Sequence, residues 1–160
     1  MHASFKALAL LAAVASASAA KFNLKAHVAS GDDLSPPIEG QLLAVDPATG
    51  FAYLTQPSGG AAFTDDDNTI NTDATGSLTH IQITPGGNDT MPDTNVVSFS
   101  ADAGTSAVDI EFGALQYANG AFSACPASVL QQDGDKILIN YAKSSQRSLK
   151  SCASLLLFQA

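Results

Sequence analysis

Apolar and polar side chains alternate along most of this chain after residue 20, and helical periodicity is nearly absent. Phe22, Leu24, Ala26 and Val28 fall on one face of an extended segment, with Asn23, Lys25 and His27 on the other. Val108, Ile110 and Phe112 alternate with Asp109 and Glu111, which predicts a half-buried strand. Residues 41–45 and 51–55 flank Asp46-Pro47-Ala48-Thr49-Gly50, where proline presets φ and glycine permits a tight reversal. That pattern predicts a hairpin. Asn119-Gly120 predicts another, through a two-residue type I′ turn that sets Tyr117 opposite Phe122 as an aromatic cross-strand pair.

Further strands are expected over 79–84, 96–101, 136–142 and 151–158, punctuated by Gly/Pro clusters at 35–40, 57–60 and 85–92. The stretch 64–76 (TDDDNTINTDATG) is polar and acidic and reads as an exposed loop. About eight to ten short strands with regular turns predict an all-β fold. The architecture expected is a compact antiparallel β-sandwich or a closed β-barrel. A trefoil-like barrel is the alternative, although no clean internal repeat is present.

The first 19 residues break the alternation. Lys6 precedes an unbroken apolar run over 7–15, and Ala17-Ser18-Ala19 supplies an A-x-A cleavage site. The run is far short of the ~20 apolar residues that cross a bilayer, so it predicts a removable signal peptide and no membrane anchor. Cleavage is expected near Ala19/Ala20, leaving 21–160 as a single all-β domain. The expected location is secreted, outside the cell.

Charge narrows the partners. The 160 residues carry a formal net charge of −8, and loss of Lys6 with the leader makes it −9. A domain this acidic, with no basic cluster, is repelled by phosphate backbones, so nucleic acid is excluded as a partner. Cys125 and Cys152 are the only cysteines. In an oxidising compartment they predict one disulfide, tying the last strand to the one before the 131–134 loop.

Candidate chemistry is sparse. Asp65, Asp66, Asp67 and Asp73 form the densest acidic stretch and are a candidate binding loop. An EF-hand count from Asp65 puts Ile70 where glycine belongs and Gly76 where glutamate belongs, so that calcium motif fails. Asp109 and Glu111 share a strand face, roughly 7 Å apart. Glycoside hydrolysis needs carboxylates on opposed sides of a sugar, and the chain has no Trp to line a cleft. His27 and His80 lack the spaced partners of a zinc site, and no G-x-S-x-G elbow is present. No catalytic set, metal site or cofactor motif is expected. Asn88-Asp89-Thr90 is the single N-glycosylation sequon, in a Gly/Pro-bounded loop.

Several stretches carry a family resemblance. They are Lys21-Phe22-Asn23-Leu24 after the leader, Asp73-Ala74-Thr75-Gly76-Ser77-Leu78, and Val97-Ser98-Phe99-Ser100-Ala101-Asp102-Ala103. Phe122-Ser123-Ala124-Cys125-Pro126 follows, then Ile139-Asn140-Tyr141, then Cys152 leading an apolar finish. With these the chain resembles the small secreted fungal proteins of the PhiA type, cell wall proteins of conidium-bearing cells. Some members of that group are IgE-binding allergens. The chain departs from the pattern in lacking the early cysteines of some members.

The resemblance implies a non-catalytic role at the fungal cell wall or surface, structural or surface-associated, with no catalytic residues to carry over. The expected partner is a wall polysaccharide or another wall protein. The alternative is a secreted glycan- or protein-binding module or host-directed effector. A third reading, a glycan-active enzyme, would rest on Asp109 and Glu111.

Overall fold

The computed structural model describes residues 19–84, 96–143 and 149–160. Within them the chain runs β1 (Leu24–Ser30), β2 (Leu42–Val45), β3 (Ala52–Thr55), β4 (Phe63–Asp66), β5 (Thr69–Thr72) and β6 (Thr79–Gln82). It continues with β7 (Ser98–Ser100), β8 (Val108–Glu111), β9 (Ala114–Tyr117), β10 (Ala121–Pro126), β11 (Ile137–Ala142) and β12 (Ala153–Gln159). Short 3-10 turns at Pro57–Gly59 and Ala127–Leu130 are the only helical elements among the described residues.

Six strands close into an antiparallel barrel in the order β1-β2-β3-β11-β10-β12, with β12 returning to β1. Of the architectures expected, the closed barrel is the one formed. Its staves come from the two ends of the chain and not from three repeated units, so the trefoil-like alternative does not apply. The closing seam is long: Leu24 pairs with Gln159, Ala26 with Leu157 and Val28 with Leu155. β4-β5-β6-β7 form a separate four-stranded sheet, and the β8–β9 hairpin joins the barrel through β12.

Strict alternation explains the staves. Leu24 and Ala26, Leu155 and Leu157, Phe122 and Ala124, Ile139 and Tyr141 all point inward and are buried. The same apolar cluster takes in Phe63, Ile70, Ile81 and Phe99 of the second sheet, so one core serves both. Backbone bonds tie the sheets together. Phe22 and Phe63 exchange N–H···O bonds at 2.9 and 2.7 Å, and the Phe99 N–H donates to Gly50 O at 2.7 Å.

The β2–β3 hairpin forms as expected, with Leu43 opposite Leu54. Asp46 Oδ1 accepts from the Ala48 N–H at 2.8 Å and fixes the turn. The Asn119-Gly120 hairpin does not form. β9 and β10 are not partners; each pairs instead with a different part of β12, Ala114 with Phe158 and Phe122 with Leu155. Seven residues of β12 offer more pairing and burial than one favourable turn, so the long-range partner wins. Phe122 therefore faces Tyr141, not Tyr117. Tyr141 stacks between them, its ring 5.4 Å from Phe122 and 5.1 Å from Tyr117.

The expected acidic loop is also revised. Residues 63–72 form the β4–β5 hairpin, reversed by Asp67 and Asn68 at φ 54° and 61°. Two consecutive positive φ values are the signature of a type I′ turn, and Asp and Asn tolerate them better than other side chains. Thr69, Ile70, Asn71 and Thr72 are all buried there.

Cys125 and Cys152 are disulfide-bonded, Cα atoms 4.4 Å apart. The bridge ties β10 to the residue just before β12, where the sequence placed it. Cys125 belongs to a small second cluster with Val96, Ala127, Leu130 and Leu138 on the outside of the barrel wall.

Candidate functional site

The outer face at the β8–β9–β12–β1 end collects side chains the core does not use. Register defines a single row across four strands: Glu111 opposite Ala114, Ala114 opposite Phe158, Phe158 opposite Lys25. Leu156 projects beside Phe158, opposite His27. Of four large apolar side chains exposed among the described residues, Phe112, Leu156 and Phe158 lie in this region. Leu156 and Phe158 are 36% and 37% exposed, and Phe112 is 99% exposed.

Phe112 corrects the sequence expectation. It does not continue the buried face of β8 but occupies the hairpin tip, where Phe112 and Gly113 have φ of 51° and 80°. Glu111 and Ala114 pair on either side, leaving a two-residue turn of the type I′ kind. Left-handed backbone costs a bulky L-residue roughly 1–2 kcal/mol, and this ring buries nothing in return. The following glycine was the available signal: Phe-Gly can be a turn as well as the end of an alternating run. The tip is anchored by the Gln159 N–H, which donates to Gly113 O at 2.7 Å.

Beside the row lies a depression of about 270 Å³ lined by Lys25, Ala26, His27, Glu39 and Phe158. Its rim is built by the β1–β2 connection. Asp33 accepts from the N–H groups of Leu34, Ile38 and Glu39 at 2.6, 2.9 and 3.2 Å. Those bonds, the Ile38 one foremost, hold its carboxyl below the usual carboxylate range despite some desolvation. The turn so formed delivers Glu39 to β1, where Oε2 accepts from the Val28 N–H at 2.8 Å and Oε1 lies 2.9 Å from His27 Nδ1. The Val28 bond and then His27 lower the Glu39 pKa. The His27 ring tilts against Phe158, centroids 5.9 Å apart. Lys25 and Glu111 have no hydrogen-bonded or ionic partner among the described residues.

No curated protein and no solved structure matches the chain. A family model described as "Domain of unknown function (DUF7907)" matches residues 19–160. The chain belongs to this family. That assignment covers the barrel, the second sheet and the whole exposed row of this DUF7907 protein.

The remaining candidates are scattered. Asp65 Oδ2 accepts from the Ile110 N–H at 3.2 Å and so covers the free edge of β8. Asp66 Oδ1 accepts from the Asp67 N–H at 2.9 Å, while Asp73 pairs with Lys21 at 3.0 Å. Lys21 is the main cause of the lowered Asp73 pKa. Among the described residues no three His, Cys, Asp or Glu side chains come together in a way that could hold a metal ion. Asp109 and Glu111 share a face, as expected, with Gln116 and Ala114 as cross-strand neighbours. His80 Nδ1 is 2.5 Å from Asn71 Oδ1. Asn88 and residues 1–18, where a leader is expected, lie outside the described residues.

Proposed function

We propose that this protein is exported to a fungal cell surface and works there by contact, not by turnover, against wall polysaccharide or another wall protein. Phe112 carries the reading. An aromatic ring held almost fully in solvent, on backbone that disfavours it, gives the fold nothing, so its use lies outside the fold. Leu156 and Phe158 add two part-exposed apolar side chains on the outer face of β12. The disulfide, with Cys125 fully buried, suits an oxidising compartment.

The test is fractionation of producing cells. The protein is expected in the wall fraction, and Phe112→Ala is expected to move most of it to the medium. Complete recovery of the parent protein from the medium, or unchanged wall retention of the variant, overturns the reading.

A further inference from the structure

Asn119-Gly120 is a turn signal that the fold does not use for a hairpin. Neither residue has positive φ; the left-handed position is Ala118, at 47°, and the reversal runs from Tyr117 to Gly120. A type I′ turn needs positive φ at both central residues, and this one has it only at the first. Asn119 is exposed there, and its side chain has no hydrogen-bonded partner among the described residues. The Gly120 N–H reaches Tyr117 O at 3.4 Å, a long and weak bond, and also the Tyr141 hydroxyl.

The structure assigns Asn119 as a modification site, where the chain converts its own asparagine to aspartate and isoaspartate with water as the only co-reactant. Hydroxide takes the proton of the Gly120 nitrogen, which then attacks Asn119 Cγ. A bond forms between them, the Cγ–Nδ2 bond breaks, and ammonia leaves with a proton from water. Water then opens the cyclic imide at one of its two carbonyls. Breaking it at Cγ gives aspartate on an unchanged main chain. Breaking it at the backbone carbonyl leaves isoaspartate, with the main chain running through Cβ and Cγ. Either product carries a negative charge that the amide lacked.

Packing makes the site. A following side chain shields the attacking nitrogen, and residue 120 cannot carry one: its Cβ would fall 2.2 Å from the Tyr141 hydroxyl oxygen and 2.5 Å from Ala142 O. The other described asparagines differ. Asn23, Asn68, Asn71 and Asn140 precede Leu24, Thr69, Thr72 and Tyr141. Asn71 and Asn140 are buried, and Asn23 Nδ2 donates to Ala61 O at 2.7 Å. The same packing penalises isoaspartate, which adds a main-chain carbon directly before Gly120 and pushes it against Tyr141. The inference stands apart from the surface-contact reading, since it uses neither Phe112 nor the outer face of β12.

The test is peptide mapping by mass spectrometry of the disulfide-bonded protein held in alkaline buffer, with the urea-unfolded chain alongside. Acid at residue 119 is expected to form in the folded protein, at a rate rising with hydroxide concentration, about tenfold or more ahead of Asn23 and Asn68. Asn119→Gln, a change at an exposed side chain without partners, is expected to stop it over the same period and keep the parent urea midpoint. The separated isoaspartate form is expected to unfold at lower urea than the aspartate form. An intact amide at 119 in the folded protein, when the unfolded chain has fully converted, overturns the proposal. So does conversion at Asn23 or Asn68 as fast as at 119, or equal midpoints for the two products.

Discussion

Gly120 offers a test of the packing in which two effects oppose one another. Its φ is not left-handed, so alanine is acceptable to the backbone there. With nothing else in play, Gly120→Ala should stabilise the fold by about 0.4–1 kcal/mol, by restricting the unfolded chain. The structure predicts the opposite sign. A Cβ at Gly120 falls 2.2 Å from the Tyr141 hydroxyl oxygen, 2.3 Å from its Cζ and 2.5 Å from the Ala142 carbonyl oxygen. Ala142 O is backbone in a barrel stave, and Tyr141 is 2% exposed between Tyr117 and Phe122, so neither moves freely.

Overpacking of this kind costs about 1–3 kcal/mol. Displacing Tyr141 also breaks its O–H bond to Tyr117 O, now 3.0 Å, worth about 0.5–1.5 kcal/mol. The net expectation is a loss of about 2 kcal/mol. In urea, with a slope of roughly 2 kcal/mol/M, the midpoint falls by about 1 M. Far-ultraviolet circular dichroism reports it, since the chain contains no Trp. In a Tyr141→Phe background the hydroxyl is absent, and Gly120→Ala should cost about 1 kcal/mol less. An unchanged or higher midpoint for Gly120→Ala refutes the packing described here.

Three further outcomes are expected. Replacing both Cys125 and Cys152 by Ala opens a loop of 27 residues and should lower stability by about 3.5 kcal/mol in the chain-entropy model, read as a drop in urea midpoint; no drop would contradict that assignment. Phe112→Asn, which suits the left-handed turn, should raise monomer stability by roughly 0.5–1 kcal/mol in the same assay while weakening surface contact; a destabilised monomer would show that the ring supports the fold.

The third concerns pH. Asp33 and Asp46 have folded pKa values below the ordinary value of about 3.9, Asp33 through backbone N–H bonds and Asp46 chiefly through Lys136. Between folded and unfolded values the unfolded chain binds more protons, so their contribution is complete above pH ~4 and lost as pH falls through the folded values. Lys136, raised by Asp46, contributes below about pH 10.4 and loses that contribution as pH rises through its folded value. Urea midpoints should therefore form a plateau between these limits. Asp33→Ala should lower the plateau by roughly 1 kcal/mol and flatten its acid limb, whereas an acid limb unchanged by that variant would exclude Asp33 as a cause.

The fold class, the β2–β3 hairpin and the disulfide were legible because each rests on local or countable features. Period-two alternation needs no partner to be seen, and two cysteines allow one intramolecular pairing. The β4–β5 hairpin escaped notice because polar residues build it. Thr69 Oγ1 donates to Thr105 O at 2.9 Å, Thr72 Oγ1 to Ala62 O at 2.7 Å, and Asn71 Nδ2 to Asp66 O at 3.1 Å. Hydrogen-bonded Thr and Asn can be buried like apolar side chains, which no hydropathy pattern reveals.

The candidate face was less legible still. Lys25, His27 and Glu111 were correctly on outward positions of their strands, whereas Phe158 read only as part of an apolar finish, and nothing local says those strands are neighbours. That adjacency comes from β12, which pairs with β1 along one edge and with β10 and then β9 along the other. The amino-acid order by itself determined which side of alternating strands such as β1 and β8 meets the core, because a side-chain period of two is a property of the extended backbone. Which strands lie side by side was decided by the tertiary structure alone. There, closing the barrel between residues 24 and 159 satisfies two whole edges of backbone hydrogen bonds at once, and that gain outweighs the preference of any single turn.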